Sequence, residues 1–227
     1  RLMFPIHDHQ GKLVAFGGRT LGEDDAKYIN SAEGPLYHKS SVLYGFHQAK
    51  EAIRESKKVV IVEGYFDVLA CMRVGVMNVV AACGTAFTQE QAKLLKRYAE
   101  TVILCLDQDT AGKQAAERAY HICSAEGVHV HAVVLEEKDP DETAAKNPKL
   151  LKKTLTKQDV PYVDLVLQTL QKGDDVGSVE GKRTVLKTML PLLDSLPTAV
   201  EQSHYLAKVA GLLGTTETAL KEDLENY

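Results

Sequence analysis

Lys58-Val59-Val60-Ile61-Val62-Glu63-Gly64-Tyr65-Phe66-Asp67 is the stretch that decides the fold. Four β-branched apolar residues in a row, with no polar residue alternating among them, are the pattern of a strand covered on both faces. The run stops at Glu63-Gly64, and the amphipathic segment Asp67–Val74 that follows predicts a helix. The alternation then repeats downstream. Asn78–Ala82 reads as a strand, Thr88-Gln89-Glu90-Gln91 as a capping box opening a helix to about Tyr98, Val102–Leu106 as a strand, Ala111–Ser124 as a helix and Val128–Leu135 as a strand. Strands alternating with helices predict an α/β fold with a mainly parallel sheet and flanking helices.

Working outward, Met3-Phe4-Pro5-Ile6, the polar turn His7-Asp8-His9-Gln10-Gly11 and Leu13-Val14-Ala15-Phe16 predict a hairpin. His7 and His9 lie in its turn with no third ligand nearby and are read as solvated. After about Asp159 the pattern is helical alone: Tyr162–Leu170, Val179–Leu193, Ala199–Leu213 and Glu217–Glu225 carry apolar residues at helical spacing, with a capping box at Thr198 and Glu201. Gly173-Asp174-Asp175-Val176-Gly177 reads as a loop between helices. Three segments follow: a strand-rich lead-in over 1–57, an α/β domain over 58–157 and an all-α helical subdomain over 158–227.

The 227 residues are 44% hydrophobic, enough to build real cores. No stretch approaches the roughly 18 to 20 apolar residues of a membrane span, and Arg1-Leu2-Met3-Phe4-Pro5 lacks the features of a signal peptide. These features predict a cytoplasmic chain with no membrane partner. Cys71, Cys83, Cys105 and Cys123 stand in apolar contexts with no CxxC pair, so they are expected to pack as small hydrophobes and no zinc is expected. The formal charge of −4 weighs against a nucleic-acid partner, since phosphate contacts come from Lys and Arg. The average hides a split: residues 1–58 hold nine Lys/Arg against seven Asp/Glu, and the remainder holds eighteen against twenty-four.

Ligands of open α/β sheets gather at the carboxyl ends of the strands, and three predicted strand ends carry carboxylates. Glu63 closes the first, with Asp67 just beyond it. Asp107 and Asp109 follow Leu106, and Asp139 and Asp141 follow the Val128–Leu135 strand. Residues two apart at a strand end point to one side, so Asp107 and Asp109 can share a region. Carboxylates crowded in this way need a counter-charge, which a hard cation such as Mg2+ supplies while keeping other positions for water and substrate phosphates. Two such ions about 4 Å apart could activate a 3′-hydroxyl and stabilise a leaving pyrophosphate. Asp139-Pro140-Asp141-Glu142 has a competing reading as a helix start, with Asp139 the N-cap and Pro140 the first residue.

Glu63 after one strand and Asp107-Gln108-Asp109 after a later one resemble the TOPRIM module of DnaG-type primases, topoisomerases and some nucleases. Met3-Phe4-Pro5-Ile6, Phe16-Gly17-Gly18-Arg19, Lys27-Tyr28-Ile29-Asn30-Ser31, His38-Lys39, Leu43-Tyr44-Gly45 and Cys83-Gly84-Thr85-Ala86 are similar to the run found in bacterial DnaG-type primases. The resemblance spans residues 1 to about 150. It implies DNA-templated synthesis of short RNA primers on single-stranded DNA by two-metal nucleotidyl transfer. Glu63, Asp107 and Asp109 are then metal ligands for Mg2+, with Mn2+ as a substitute, and Asp67, Asp139 and Asp141 complete the catalytic acidic site. Arg19, Lys27, Asn30 and Lys39 are implied to contact NTPs, the template or the nascent RNA primer. The implied location is the replication fork.

Two departures from that family's pattern stand out: Gln108 where Gly is common, and Ser31-Ala32-Glu33-Gly34 after Asn30. Gln cannot adopt some angles open to Gly, so a slightly different turn is expected. A zinc module, part of the polymerase core and the region that binds the replicative helicase are expected to lie outside this chain. The alternatives are a TOPRIM fragment of a topoisomerase or nuclease, and a non-catalytic DNA-binding TOPRIM module. The first leaves the Lys27 to Asn30 segment unexplained, and the second is marked by lost carboxylates, whereas all six are present.

Overall fold

Strands β1 (Leu2–His7), β2 (Leu13–Arg19) and β3 (Tyr28–Asn30) form an antiparallel sheet in that order, the first two being the expected hairpin. Period-two alternation sorts its side chains: Phe4, Ile6 and Ala15 are buried, whereas Met3, Phe16 and Ile29 are exposed. The computed structural model describes residues 1–22, 26–173 and 176–227, and divides into two units, Arg1–Asp159 and Val160–Tyr227. Asp174 and Asp175 of the expected interhelical loop lie outside the described residues.

The first unit continues with α1 (Phe46–Ser56), β4 (Lys58–Val62), α2 (Tyr65–Arg73), β5 (Val79–Ala81), α3 (Gln89–Lys96), β6 (Thr101–Leu104), α4 (Thr110–Ala125), β7 (His129–Ala132), α5 (Pro140–Lys146) and α6 (Pro148–Lys157). β5, β4, β6 and β7 lie side by side in that order, and each neighbouring pair is parallel. Val59, Val60, Ile61 and Val62 are each at most 2% exposed, as a strand covered on both faces requires. β6 and β7 end earlier than their apolar runs, but bonding persists: the Cys105 N–H donates to the Ile61 carbonyl and that of Val133 to the Leu104 carbonyl. The Thr88 capping box forms as read, its hydroxyl accepting from the Gln91 N–H while the Gln91 side chain accepts from the Thr88 N–H.

The parallel arrangement puts all four strand ends on one edge, with β4 and β6, the two strands leading to Glu63 and Asp107, adjacent. The four cysteines are free and buried, as their apolar contexts imply. α1 has no counterpart in the sequence reading. Its N-cap is Gly45, with φ +81° and no side-chain hydrogen bond, so the usual polar signal of a helix start is missing. Gln108 needs no special angle, since Lys57 and Cys83 are the only non-glycine residues with positive φ among the described residues.

The second unit contains α7 (Tyr162–Gly173), α8 (Val179–Asp194), α9 (Ala199–Leu213) and α10 (Glu217–Glu225). Ser178, Thr198 and Thr216 cap the last three through their side-chain oxygens. Each helix buries a stripe, such as Val185, Met189 and Leu193 of α8 or Leu206, Val209 and Leu213 of α9. Lys208 pairs with Asp164 at 2.7 Å. Among the described residues no helix is long and apolar enough to cross a membrane.

Candidate acidic active site

Glu63 follows β4 and Asp107 lies three residues beyond β6, so the neighbouring strands deliver them to one place. The Asp107 backbone N–H donates to Glu63 Oε1 at 3.0 Å. Burial, reinforced by the Asp107 and Asp109 charges, pushes the Glu63 carboxyl above its ordinary range even though it accepts that hydrogen bond. Asp107 is raised as well, by burial and by Asp139 and Asp109, against the opposing pull of Lys138, whose Nζ is 3.6 Å from Oδ2. Asp67 is the most perturbed of these acids: burial pushes it up to about 7 while the Gly64 and Asp141 backbone N–H groups donate to it. Its bonds join the start of α2 to the start of α5.

Asp109 and Asp139 both cap helices. Asp109 Oδ1 accepts from the Gly112 N–H at 2.8 Å to open α4, and Asp139 Oδ1 accepts from the Glu142 N–H at 2.8 Å to open α5, with Pro140 at the first position. The cap geometry requires Gly112, because a Cβ there would stand 2.1 Å from the Asp107 carbonyl oxygen. Asp67, Asp139 and Asp141 line a cleft of about 270 Å³ together with Arg19, Lys27, Tyr28, Phe66 and Lys138. Arg19 lies over the Phe66 ring at 4.6 Å, which holds its guanidinium at the cleft wall.

The structure thus brings Glu63 into contact with Asp107, and gathers Asp67, Asp139, Asp141, Arg19 and Lys27 around one cleft. Lys39 and Asn30 do not line it. Asn30 is bonded through its amide to Tyr65 and to the Cys83 carbonyl. Lys138, Tyr65, Phe66 and Gly112 escaped the sequence reading. The one signal for Lys138 was its place directly before Asp139.

Among the described residues no three His, Cys, Asp or Glu side chains are gathered as a ready-made cage. The donor set nevertheless suits a hard divalent cation: half-buried carboxyls whose pKa values are raised by burial and by one another's charge, in an open arrangement that leaves positions for water and phosphate. Those oxygens offer nothing that selects zinc over other divalent ions.

Residues 1–50 match the DNA primase catalytic core, N-terminal domain; residues 60–144 match the Toprim-like family; and residues 166–218 match the DnaB-helicase binding domain of primase. The last falls inside the chain, against the expectation that the helicase-binding region lies outside it. Amphipathic helices display that likeness only as a distributed pattern, with no chemistry-bearing motif to read. A DNA primase of Halalkalibacterium halodurans is 39% identical over 226 residues, which are 98% of this chain and 38% of that protein. The chain therefore spans about two-fifths of that relative. A crystal structure of a DNA primase domain from Pseudomonas aeruginosa has a TM-score of 0.83 and 33% identity, covering 98% of this chain and 71% of that one. A DnaG primase catalytic domain solved bound to single-stranded DNA has a TM-score of 0.82 and 30% identity, covering 96% and 71%. The fold is accordingly that of the DnaG catalytic cores, and TOPRIM domains of this kind use divalent metal. With a lead-in, a metal-type acidic edge and a helical unit each matched to a primase segment in chain order, the chain belongs to the bacterial DnaG-type primase family.

Proposed function

We propose that the chain is the catalytic core fragment of a DNA primase, a DNA-directed RNA polymerase that joins NTPs into short RNA primers on single-stranded DNA. The observation that carries this reading is the meeting of Glu63 and Asp107 at one sheet edge, beside a cleft whose other wall holds Arg19 and Lys27. Residues 1–57 act as the lead-in that supplies the cationic wall, 58–157 as the metal-binding domain and 158–227 as the helical subdomain.

Glu63, Asp107 and Asp109 hold divalent metal, Mg2+ with Mn2+ as a substitute, and Asp67, Asp139 and Asp141 complete the acidic site. With metal bound, such a site lowers the barrier to attack by a 3′-hydroxyl and neutralises charge on the departing pyrophosphate. Arg19 and Lys27 neutralise phosphate oxygens across the cleft, and the planar Arg19 guanidinium suits two-point contact. Lys39 contributes further positive charge toward template or primer. Lys138, paired with Asp107, holds positive charge at the acidic edge and is free to exchange that partner for a phosphate. The match of residues 166–218 supports a helicase contact through the helical unit. On this reading the protein works in the cytoplasm at the replication fork.

The test is dinucleotide synthesis from NTPs and Mg2+ on a single-stranded template, with the full-length protein. Glu63→Gln and Asp107→Asn keep the shape of each side chain and remove its charge, and each is expected to lower kcat by roughly 100-fold or more. Synthesis at the wild-type rate in either variant would overturn the reading.

A further inference from the structure

Phe4, Gly17 and Asn30 stand opposite one another across β1, β2 and β3. They form one row on a single face of the sheet. The middle position has no side chain, and Tyr65, the first residue of α2, fills the gap. Its ring stacks on Phe4 with centroids 4.6 Å apart and planes 9° from parallel. A Cβ at Gly17 would stand 2.3 Å from the Tyr65 hydroxyl. That hydroxyl donates to Asn30 Oδ1 at 2.7 Å, and Asn30 Nδ2 donates to the Cys83 carbonyl at 3.1 Å. A carbonyl only accepts, so the second bond fixes which way the amide faces and leaves its oxygen for the tyrosine.

The third segment depends on the same amide. Cys83 holds φ +46° and Gly84 φ +85°, two left-handed residues in succession, directly beyond β5. A Cβ on Gly84 would lie 2.9 Å from Asn30 Nδ2. A residue with a side chain in that conformation persists only when its surroundings hold it there, and here the Asn30 bond grips its carbonyl. One side-chain amide thereby ties together the end of β3, the Glu63–Asp67 turn and the 82–85 loop.

Lys27 and Tyr28, close before Asn30 in the chain, line the cleft with Arg19; Tyr65 lies midway between Glu63 and Asp67. We infer that Tyr65 and Asn30 are positioning residues, and that the Tyr65–Asn30–Cys83 chain of bonds sets the spacing between the Arg19–Lys27 wall and the carboxylates. Asn30 then acts through protein bonds and not as a ligand of the nucleotide: its oxygen is engaged and one N–H is spent. The catalytic consequence rests on the primer-synthesis reading above.

A double-mutant cycle of Tyr65→Phe and Asn30→Ala in the full-length protein separates the two roles. As positioning residues, each single variant lowers kcat/KM for NTP by about tenfold, and the double variant falls no further than the worse single one. A direct nucleotide ligand at Asn30 predicts the opposite pattern, with Tyr65→Phe near wild type and Asn30→Ala alone impaired, and that result would overturn the inference. Amide hydrogen exchange gives an activity-free readout: Tyr65→Phe is expected to speed exchange in residues 28–31 and 82–86 while Thr101–Leu104 stays protected. Unchanged exchange in the first two segments would also sink it. Tyr65→Phe removes a single oxygen, so it remains decisive if Asn30→Ala fails to fold. A wild-type protein that makes no primers would count against the proposed function alone, because the exchange measurement still decides the positioning.

Discussion

Asp159 shows how a single residue can organise charge away from the acidic edge. Its side chain, 8% exposed, accepts from Lys58 Nζ at 2.9 Å and meets His131 Nδ1 at 2.7 Å. Burial alone would raise its pKa, but the hydrogen bonds from Lys58 and His131 hold the carboxyl below the ordinary aspartate value. A depressed folded pKa means that the ion contributes stability in full above the unfolded value, about 3.9, and that this is lost as the pH falls through the lower folded value. Asp159→Asn is therefore expected to destabilise by about 1 kcal/mol or more at pH 7, with the gap from wild type narrowing below about pH 4. Urea midpoints across that range check it; a gap independent of pH would assign the loss to packing. The sequence disclosed residues of one kind better than the other. Glu63, Asp107 and Asp139 could be read because a carboxylate after an apolar run advertises a strand end. The Asp159 cluster and the Tyr65–Asn30 bond could not, because each depends on partners 28 to 101 residues apart in the chain.

Two helices begin on aspartates that are also candidates for chemistry. The sequence posed capping and metal binding as rivals at Asp139, and the structure shows a cap there and a second one at Asp109. The two roles are compatible, since each cap engages one oxygen, Oδ1, of a two-oxygen carboxylate. Substitution can therefore divide them. Asp109→Ser keeps an N-cap acceptor and removes the charge, so stability should change by only a few tenths of a kcal/mol while primer synthesis is lost; Asp109→Ala should cost about 1 kcal/mol in addition. Thermal denaturation beside dinucleotide synthesis tests this, and an active Asp109→Ser protein would reduce the residue to its cap. Elements were legible where their starts carried polar caps, as at Thr88, Thr198 and Asp139. α1 was not, because Gly45 opens it through its backbone and offers no side chain to read. α6 begins after Asn147, which closes α5 and caps α6 at once, so the boundary between them is a single residue that periodicity cannot resolve.

Over the whole molecule the α/β unit was readable and the role of the helical unit was not, for the same reason. Buried parallel strands demand uninterrupted β-branched runs and put their chemistry at predictable ends, whereas a helical unit can satisfy its core with many different stripes, and the likeness of residues 166–218 to the helicase-binding domain of primase leaves no short signature. The cysteines divide between the units just as unevenly. All four lie between residues 71 and 123 within Arg1–Asp159, each is buried, and burial pushes the thiols of Cys71 and Cys123 up to about 12 and raises the other two as well. A thiol that is neither exposed nor ionised cannot attack an alkylating reagent until its surroundings open. Maleimide labelling of the native protein should consequently be slow at every site and quicken only when the sheet unit unfolds, while loosening of the cysteine-free helical unit stays silent. Nature has in effect installed a reporter in one of the two units: the rate of mass gain in dilute urea clocks the opening of the sheet unit without any engineered probe, and rapid labelling of the folded protein would show that one of these pockets breathes.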